Sequence, residues 1–137
     1  MPEQLKNNAH WLLRIAFASV FIFHGSLKLL DLEGFTNMLP ISYTEVLLVA
    51  LAETVGGILI LIGGFGKVAI FDLATRIGAA MNVPVILGAI WIVHWGRWNF
   101  LPAESHPVGG MEFQVVLLLM ILFFVIVGNG TQENRAA

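Results

Sequence analysis

The chain contains no cysteine among its 137 residues. Disulfide bonds, thiol relays, cysteine-ligated iron–sulfur clusters and cysteine zinc sites are therefore excluded together. A phosphate-binding loop is absent as well, because the glycine-rich stretch at residues 63–66 lacks the spacing that such a loop requires. Redox or binding chemistry in this protein therefore cannot use a thiol or thiolate.

Charged residues are also scarce. They make up 12 % of the chain, about half of the roughly 25 % that is usual in soluble domains. Hydrophobic residues make up 58 %, and the mean hydropathy is +0.85. This composition predicts a chain that lies in a lipid bilayer. The formal net charge of −2 argues against nucleic acid or another polyanion as a partner.

Four apolar stretches predict the fold. A membrane-spanning helix needs about 20 mainly apolar residues, and lipid offers the backbone no water, so each stretch should be a helix and not a strand. The predicted helices cover residues 11–30, 43–62, 69–93 and 111–127. The fourth is short for a membrane crossing, and the third is long and contains Pro84. We therefore expect an all-α protein, in which residues 1–137 form a single integral membrane four-helix bundle.

Lysine and arginine residues indicate how this bundle is oriented. One end of the bundle holds both termini and the glycine-rich turn, and its basic residues are Lys6, Arg14, Lys67, Arg76 and Arg135. The opposite end has Lys28 and Arg97. The positive-inside rule then places both termini in the cytoplasm. Residues 1–10 lack the cleavage site of a secretory signal, so the first helix is expected to remain as an anchor in the inner (cytoplasmic) membrane of a bacterium or archaeon.

The most informative single residue is Glu53, which lies in the middle of the second apolar stretch. A charged side chain at the centre of a spanning helix costs roughly 2.5 to 3.5 kcal/mol on insertion scales, so it needs a partner in the protein interior. Arg76 on the third helix is the leading candidate, and His24 on the first is the second. Such a pair has two interpretations, a purely structural contact between helices or a proton-handling site.

Other polar residues fall into two layers when depth is counted along each helix at about 1.5 Å per residue. The predicted outer layer contains His24, Lys28, His94 and Glu112, and the inner layer contains Arg14, Asp72 and Arg76. Asp72 and Arg76 are four residues apart and are expected to pair along their helix. Lys28 is expected to extend towards the outer interface, as lysines near helix ends do.

Metal and haem sites are alternatives that the outer layer leaves open. His24, His94 and Glu112 have the composition of a two-histidine, one-carboxylate metal site, and the two histidines have that of a haem-ligand pair. Neither has a local ligand spacing to support it, so we predict no metal site.

Several short motifs follow one another in a definite order. They are Arg14-Ile15-Ala16-Phe17 and Phe23-His24-Gly25 with Lys28, then Glu53-x-x-Gly56-Gly57 and Gly63-Gly64-Phe65, then His94, Gly109-Gly110-Met111-Glu112 and Gly128-Asn129-Gly130. In this order they resemble the DoxX-like (DoxX/DoxD) family of four-helix membrane proteins, over about residues 10–130. Lys67 stands where that family often has arginine, and its pattern does not account for residues 95–106.

The resemblance implies a role in respiratory or sulfur redox chemistry. The family takes its name from a subunit of a quinone-linked terminal oxidase, and its relatives include the membrane part of a thiosulfate:quinone oxidoreductase. Quinone is therefore the expected cofactor, since its ring needs hydrogen-bond donors and takes up protons on reduction. The residues expected to act in catalysis are Glu53, His24 and Arg76, and those expected to contact the cofactor are His24, Glu53, His94 and Glu112.

Two other functional classes stay open. A non-catalytic accessory subunit of a larger membrane complex agrees with the small size of the chain and its lack of an evident redox centre. A small-solute or proton transporter would need more room than four short helices provide, unless the protein oligomerises. In every case the expected partners are the lipid bilayer together with partner subunits or further copies of the chain.

Overall fold

The structure, a computed structural model, describes residues 2–130 apart from the side chain of Lys6. Regular structure in this part of the chain is helical. The elements are α1 (Glu3–Asn8), α2 (His10–Leu30), α3 (Leu32–Met38), α4 (Tyr43–Gly63), α5 (Ala69–Ala89), a π-helical turn (Ile90–His94) and α6 (Glu112–Val127). The all-helical prediction is confirmed for these residues, and the long helices agree closely with the four apolar stretches.

Three of these segments are long and apolar enough to cross a membrane. They are Glu3–Leu30, which joins α1 to α2, then Tyr43–Gly63, and Ala69–His94, which joins α5 to the π-helical turn. The apolar helix Glu112–Val127 has 16 residues and is shorter than a usual crossing. α5 continues through Pro84 without a break in its helical assignment, although the sequence allowed a bend there.

The four long helices pack in chain order. α2 lies against α4, α4 against α5, and α5 against α6, whereas α2 meets α6 at only a few points. One of these is an edge-to-face contact between Phe17 and Phe124, with ring centroids 6.0 Å apart. The shared core consists of the buried residues Phe17, Phe21, Ile60, Ala79, Ile86, Ile90, Leu117, Ile121 and Phe124.

Small residues bring the central helices close together. A Cβ atom added at Gly56 of α4 would collide with the side-chain amide of Asn82, and one added at Gly78 of α5 would lie 2.7 Å from the Gly56 carbonyl oxygen. Close approach of this kind is typical of helix pairs in membranes, where small residues let backbones make van der Waals contact. The α4–α5 interface therefore depends on these glycines.

The two ends of the bundle are closed differently. At one end, which we call the loop end, are α3 and the long connection at residues 95–111. Here Ser42 caps α4 through a capping box with Glu45, because each side chain bonds the backbone N–H of the other residue. At the other end, which we call the turn end, are the short α4–α5 connection and residues 128–130.

Candidate functional site

Glu53 forms a buried ion pair with Lys28. The Lys28 Nζ and Glu53 Oε2 atoms are 2.7 Å apart, and the two side chains are 12 % and 8 % exposed. Lys28 Nζ also lies 3.4 Å from the carbonyl oxygen of His24 and 5.6 Å from the ring centre of Phe35 on α3. The pair therefore joins α2 to α4, and α3 covers it on one side.

The predicted pairing of Glu53 with Arg76 is wrong, and so is the expectation that Lys28 extends to the interface. Helical side chains lean towards the N-terminus of their own helix. Glu53 therefore leans towards the loop end, and Lys28, on an antiparallel helix, leans inward to meet it. Arg76 leans the opposite way, towards the turn end, where other groups already accept its hydrogen bonds.

Unsatisfied polar groups lie beside this pair. Glu53 Oε1 accepts no hydrogen bond from the residues that the structure describes. Asn82, which is fully buried, donates through Nδ2 to the carbonyls of Ala52 and Gly78 at 3.3 and 3.0 Å, while its Oδ1 has no partner among the described residues. The buried Thr54 Oγ1 is likewise without a partner. Hydrogen-bonding capacity thus remains on Glu53 itself, on the following residue Thr54, and on Asn82, whose amide reaches the Ala52 carbonyl.

His24 has a different position from the one that the sequence predicted. Its side chain is exposed on the surface of α2, and its ring makes no hydrogen bond to the described residues. The ring packs edge-to-face with that of Phe23, with centroids 5.5 Å apart. His24 is therefore one helical turn from Lys28 but is not a hydrogen-bonding partner of Glu53.

Arg14 is the centre of a second polar cluster, at the turn end. Its side chain is 1 % exposed, and its guanidinium donates to the Ile60 carbonyl at 2.6 Å, to Thr75 Oγ1 at 2.9 Å and to Asn129 Oδ1 at 2.6 Å. Its Nε donates to His10 Nδ1 at 3.1 Å. Arg14 thereby connects α2, α4, α5 and the segment after α6.

This cluster was not anticipated as a unit. The sequence placed Arg14 in the inner layer but gave no reason to bring Thr75 or Asn129 to it, because neither residue is charged. The signal that was present is the position of Asn129 between two glycines just after the last apolar stretch. In the structure Asn129 Nδ2 also donates to the carbonyls of Gly63 and Gly66 at 2.9 and 3.1 Å.

The predicted pairing of Asp72 with Arg76 is confirmed, with Arg76 Nε 2.7 Å from Asp72 Oδ2. The same guanidinium donates to the Val125 and Ile126 carbonyls at 2.6 and 3.0 Å, at the C-terminal end of α6. Asp72 Oδ1 accepts from the Asn129 backbone N–H at 2.6 Å. Arg76 and Asp72 therefore anchor the end of α6 to α5.

His94 and Glu112 belong to the loop end. His94 Nδ1 donates to the Gly109 carbonyl at 2.9 Å, and its Nε2 lies 3.0 Å from the Gln114 side-chain amide nitrogen. Glu112 Oε2 accepts from the Phe100 backbone N–H at 3.2 Å. Within residues 2–130 no three histidine, cysteine, aspartate or glutamate side chains are grouped so as to hold a metal ion.

Comparison with known protein families assigns most of the chain to one family. Residues 9–95 match the DoxX family, which covers more than half of the sequence and includes the Lys28–Glu53 pair and Arg14. Neither curated proteins nor solved structures give a match. The match covers the motifs from Arg14 to His94 and, apart from residues 3–8, the three apolar segments long enough to cross a membrane, and the motifs at residues 109–112 and 128–130 lie beyond it. This chain is therefore a membrane protein of the DoxX family.

Proposed function

We propose that the protein is a membrane component of a quinone-linked redox system, with the Lys28–Glu53 pair as its proton-handling site. The observation that carries the proposal is this buried pair, at 2.7 Å, within helices that are otherwise apolar. Ionisable residues inside membrane helices are expensive and commonly mark substrate or proton pathways. A buried pair that served packing alone would bring little net stability, because desolvation offsets most of its attraction.

The chemistry of the neighbouring groups fits a quinone ring. A bound quinone supplies a two-electron, two-proton acceptor whose carbonyl oxygens need hydrogen-bond donors. Lys28 is such a donor, and the exposed ring of His24, one turn away, is a second. Glu53 Oε1 is free to hold or pass a proton. We do not include Arg76, His94 or Glu112 in the proposed site, because each makes hydrogen bonds elsewhere.

The proposal includes a topology. We infer that α6 is a fourth membrane crossing despite its length, and that residues 1–137 form one four-helix domain of the cytoplasmic membrane with both termini in the cytoplasm. Support comes from the apolar character of α6 and from its packing against α5. Residues 131–137, which include Arg135, lie outside the described part of the chain. The electron donor would be a partner subunit or a soluble protein, since the chain has no cysteine-ligated redox centre of its own.

The test is purification in a mild detergent with mass spectrometry of bound lipids and proteins, followed by a reconstituted quinone-reduction assay. Quinone should co-purify, and Glu53→Gln should remove activity while the protein stays folded, because glutamine keeps the shape and cannot titrate. Glu33→Gln is the matched control, since Glu33 is an exposed carboxylate on α3. A Glu53→Gln protein with full activity would rule out the proton-handling role. Purification without quinone but within a stable larger complex would favour the accessory-subunit alternative.

A further inference from the structure

The connection at residues 95–111 caps part of the start of α6 with its own backbone. The N–H groups of Gly110, Met111 and Glu112 donate to the carbonyls of Asn99, Arg97 and Trp98 at 2.9, 2.8 and 2.9 Å, respectively. No side chain caps this helix. The amides that begin a helix have no partners within it and ordinarily use water or a capping side chain. Here the carbonyls of Arg97 and Trp98 serve two of these amides, Met111 and Glu112, which lowers the cost of placing this helix start away from water.

The length of α6 indicates that its start lies inside the bilayer. α6 has 16 residues and α4 has 21, and their turn ends are held together by the bond from Asn129 Nδ2 to the Gly63 carbonyl at 2.9 Å. At about 1.5 Å per residue, α6 begins about 7 Å short of the depth that α4 reaches. The capping segment 97–99 therefore occupies a level that α4 fills with its first helical turns.

The side chains of this connection are arranged for two environments. Its apolar residues are exposed, namely Trp98 at 56 %, Phe100 at 57 %, Leu101 at 52 % and Val108 at 57 %. Two polar residues, Arg97 and Asn99, lie among them and bond the backbone of Leu101. Glu104 and Ser105 lie at a tight turn, where Ala103 and His106 form a β-bridge around them. His106 Nε2 lies 2.8 Å from the Trp95 carbonyl oxygen, so this turn is held against the end of the π-helix.

We propose that residues 97–110 form a lipid-contacting cap on α6, with the apolar side chains in the adjacent leaflet and the turn at residues 103–106 in water. The surface continues from the exposed Trp91 and Trp95 at the end of the helix before it, whose ring centroids lie 5.0 Å apart with the ring planes tilted by 51°. Tryptophan is enriched at the membrane interface. A contiguous exposed apolar patch marks a membrane or protein contact, and the short α6, whose first two amides are capped by backbone carbonyls of this connection, selects the membrane. The cap begins just beyond the DoxX-matched residues 9–95 and does not depend on a role in quinone chemistry.

The test uses single cysteines in this cysteine-free chain, placed at Leu101, Val108, Ser105 and Asn37. Asn37 is an exposed residue of α3 at the same end and is the reference for contact with water. The protein is reconstituted alone in phosphatidylcholine liposomes and spin-labelled. Spin labels at Leu101 and Val108 should be relaxed more by oxygen than by a nickel chelate. Spin labels at Ser105 and Asn37 should be relaxed more by the nickel chelate than by oxygen. A membrane-impermeant maleimide should react at least tenfold more slowly at Leu101 and Val108 than at Ser105.

A second measurement uses native side chains. In a variant in which the other three tryptophans are replaced by phenylalanine, brominated phospholipids should quench the fluorescence of Trp98. Fast maleimide labelling at Leu101 and Val108, without quenching of Trp98, would overturn the proposal and leave a water-exposed docking face for a soluble protein. Protection at Leu101 and Val108 that disappears when the protein is diluted with lipid would overturn it in favour of a second copy of the chain.

Discussion

At the scale of single residues, the direction in which a side chain leaves its helix decides which charges meet. Glu53 and Arg76 are close in depth when only positions along the helices are counted. Their side chains nevertheless point to opposite ends of the bundle, because α4 and α5 run in opposite directions. Lys28 lies nearer the loop end than Glu53 and leans inward by the same rule, which produces the 2.7 Å pair.

This pairing predicts the outcome of a double-mutant cycle. Glu53→Ala and Lys28→Ala should each lower the free energy of unfolding in detergent by about 3 to 5 kcal/mol, because each leaves one buried charge alone. The double variant should lose less than the sum, with a coupling energy of about 0.5 to 3 kcal/mol. Glu53→Ala combined with Arg76→Ala is the control, and these two changes should be additive. Coupling between Glu53 and Arg76, together with additivity between Glu53 and Lys28, would instead assign Arg76 as the partner of Glu53.

Arg14 gives a second prediction at this scale. Arg14→Met should destabilise the protein by several kcal/mol, since it removes four hydrogen bonds at once and leaves buried acceptors unsatisfied. Arg14→Lys should rescue only part of this loss, because a single ammonium group cannot reach acceptors that the planar guanidinium reaches in several directions. The measurement is thermal unfolding in detergent. Full stability in Arg14→Lys would show that charge alone matters at this position.

At the scale of secondary-structure elements, the α4–α5 pair depends on backbone contact. Gly78→Ala should destabilise the protein by about 1 to 3 kcal/mol, because the new methyl group would meet the Gly56 carbonyl oxygen and Leu59. Gly88→Ala, in the same helix, is the matched control. A Cβ there has nothing within 4 Å, so the change should be neutral or slightly stabilising through helix propensity. Equal effects of the two substitutions, measured by thermal unfolding, would contradict this account of the interface.

The elements themselves were predictable from the sequence, and their polar contacts were predictable only in part. A helix that crosses lipid needs a continuous apolar run, so α2, α4 and α5 are visible in composition alone, and the shorter apolar run of α6 is visible in the same way. The Asp72–Arg76 pair was also visible, because it is local in sequence. The Arg14 cluster was hidden, since its distant acceptors are a backbone carbonyl and two uncharged side chains on three other segments.

At the scale of the whole molecule, the proposed topology makes a prediction about labelling in intact cells. Cysteines introduced at Asn37 and Ser105 should react with a membrane-impermeant thiol reagent, and one introduced at Asn7 in α1 should react only after the membrane is permeabilised. All three positions are exposed, so burial does not explain a difference between them. Labelling of Asn7 but not of Ser105 in intact cells would invert the orientation of the bundle.

The contact between Arg14 and Asn129 has a consequence for how the protein is made. These residues are 115 positions apart, so the first long helix reaches the membrane well before its last hydrogen-bonding partner exists. At about 5 to 20 residues per second, the interval is roughly 6 to 20 seconds. During that time the arginine has to be accommodated by lipid headgroups, by water or by the insertion machinery. Completion of the Arg14 cluster therefore waits until residue 129 has been synthesised and has reached the bundle.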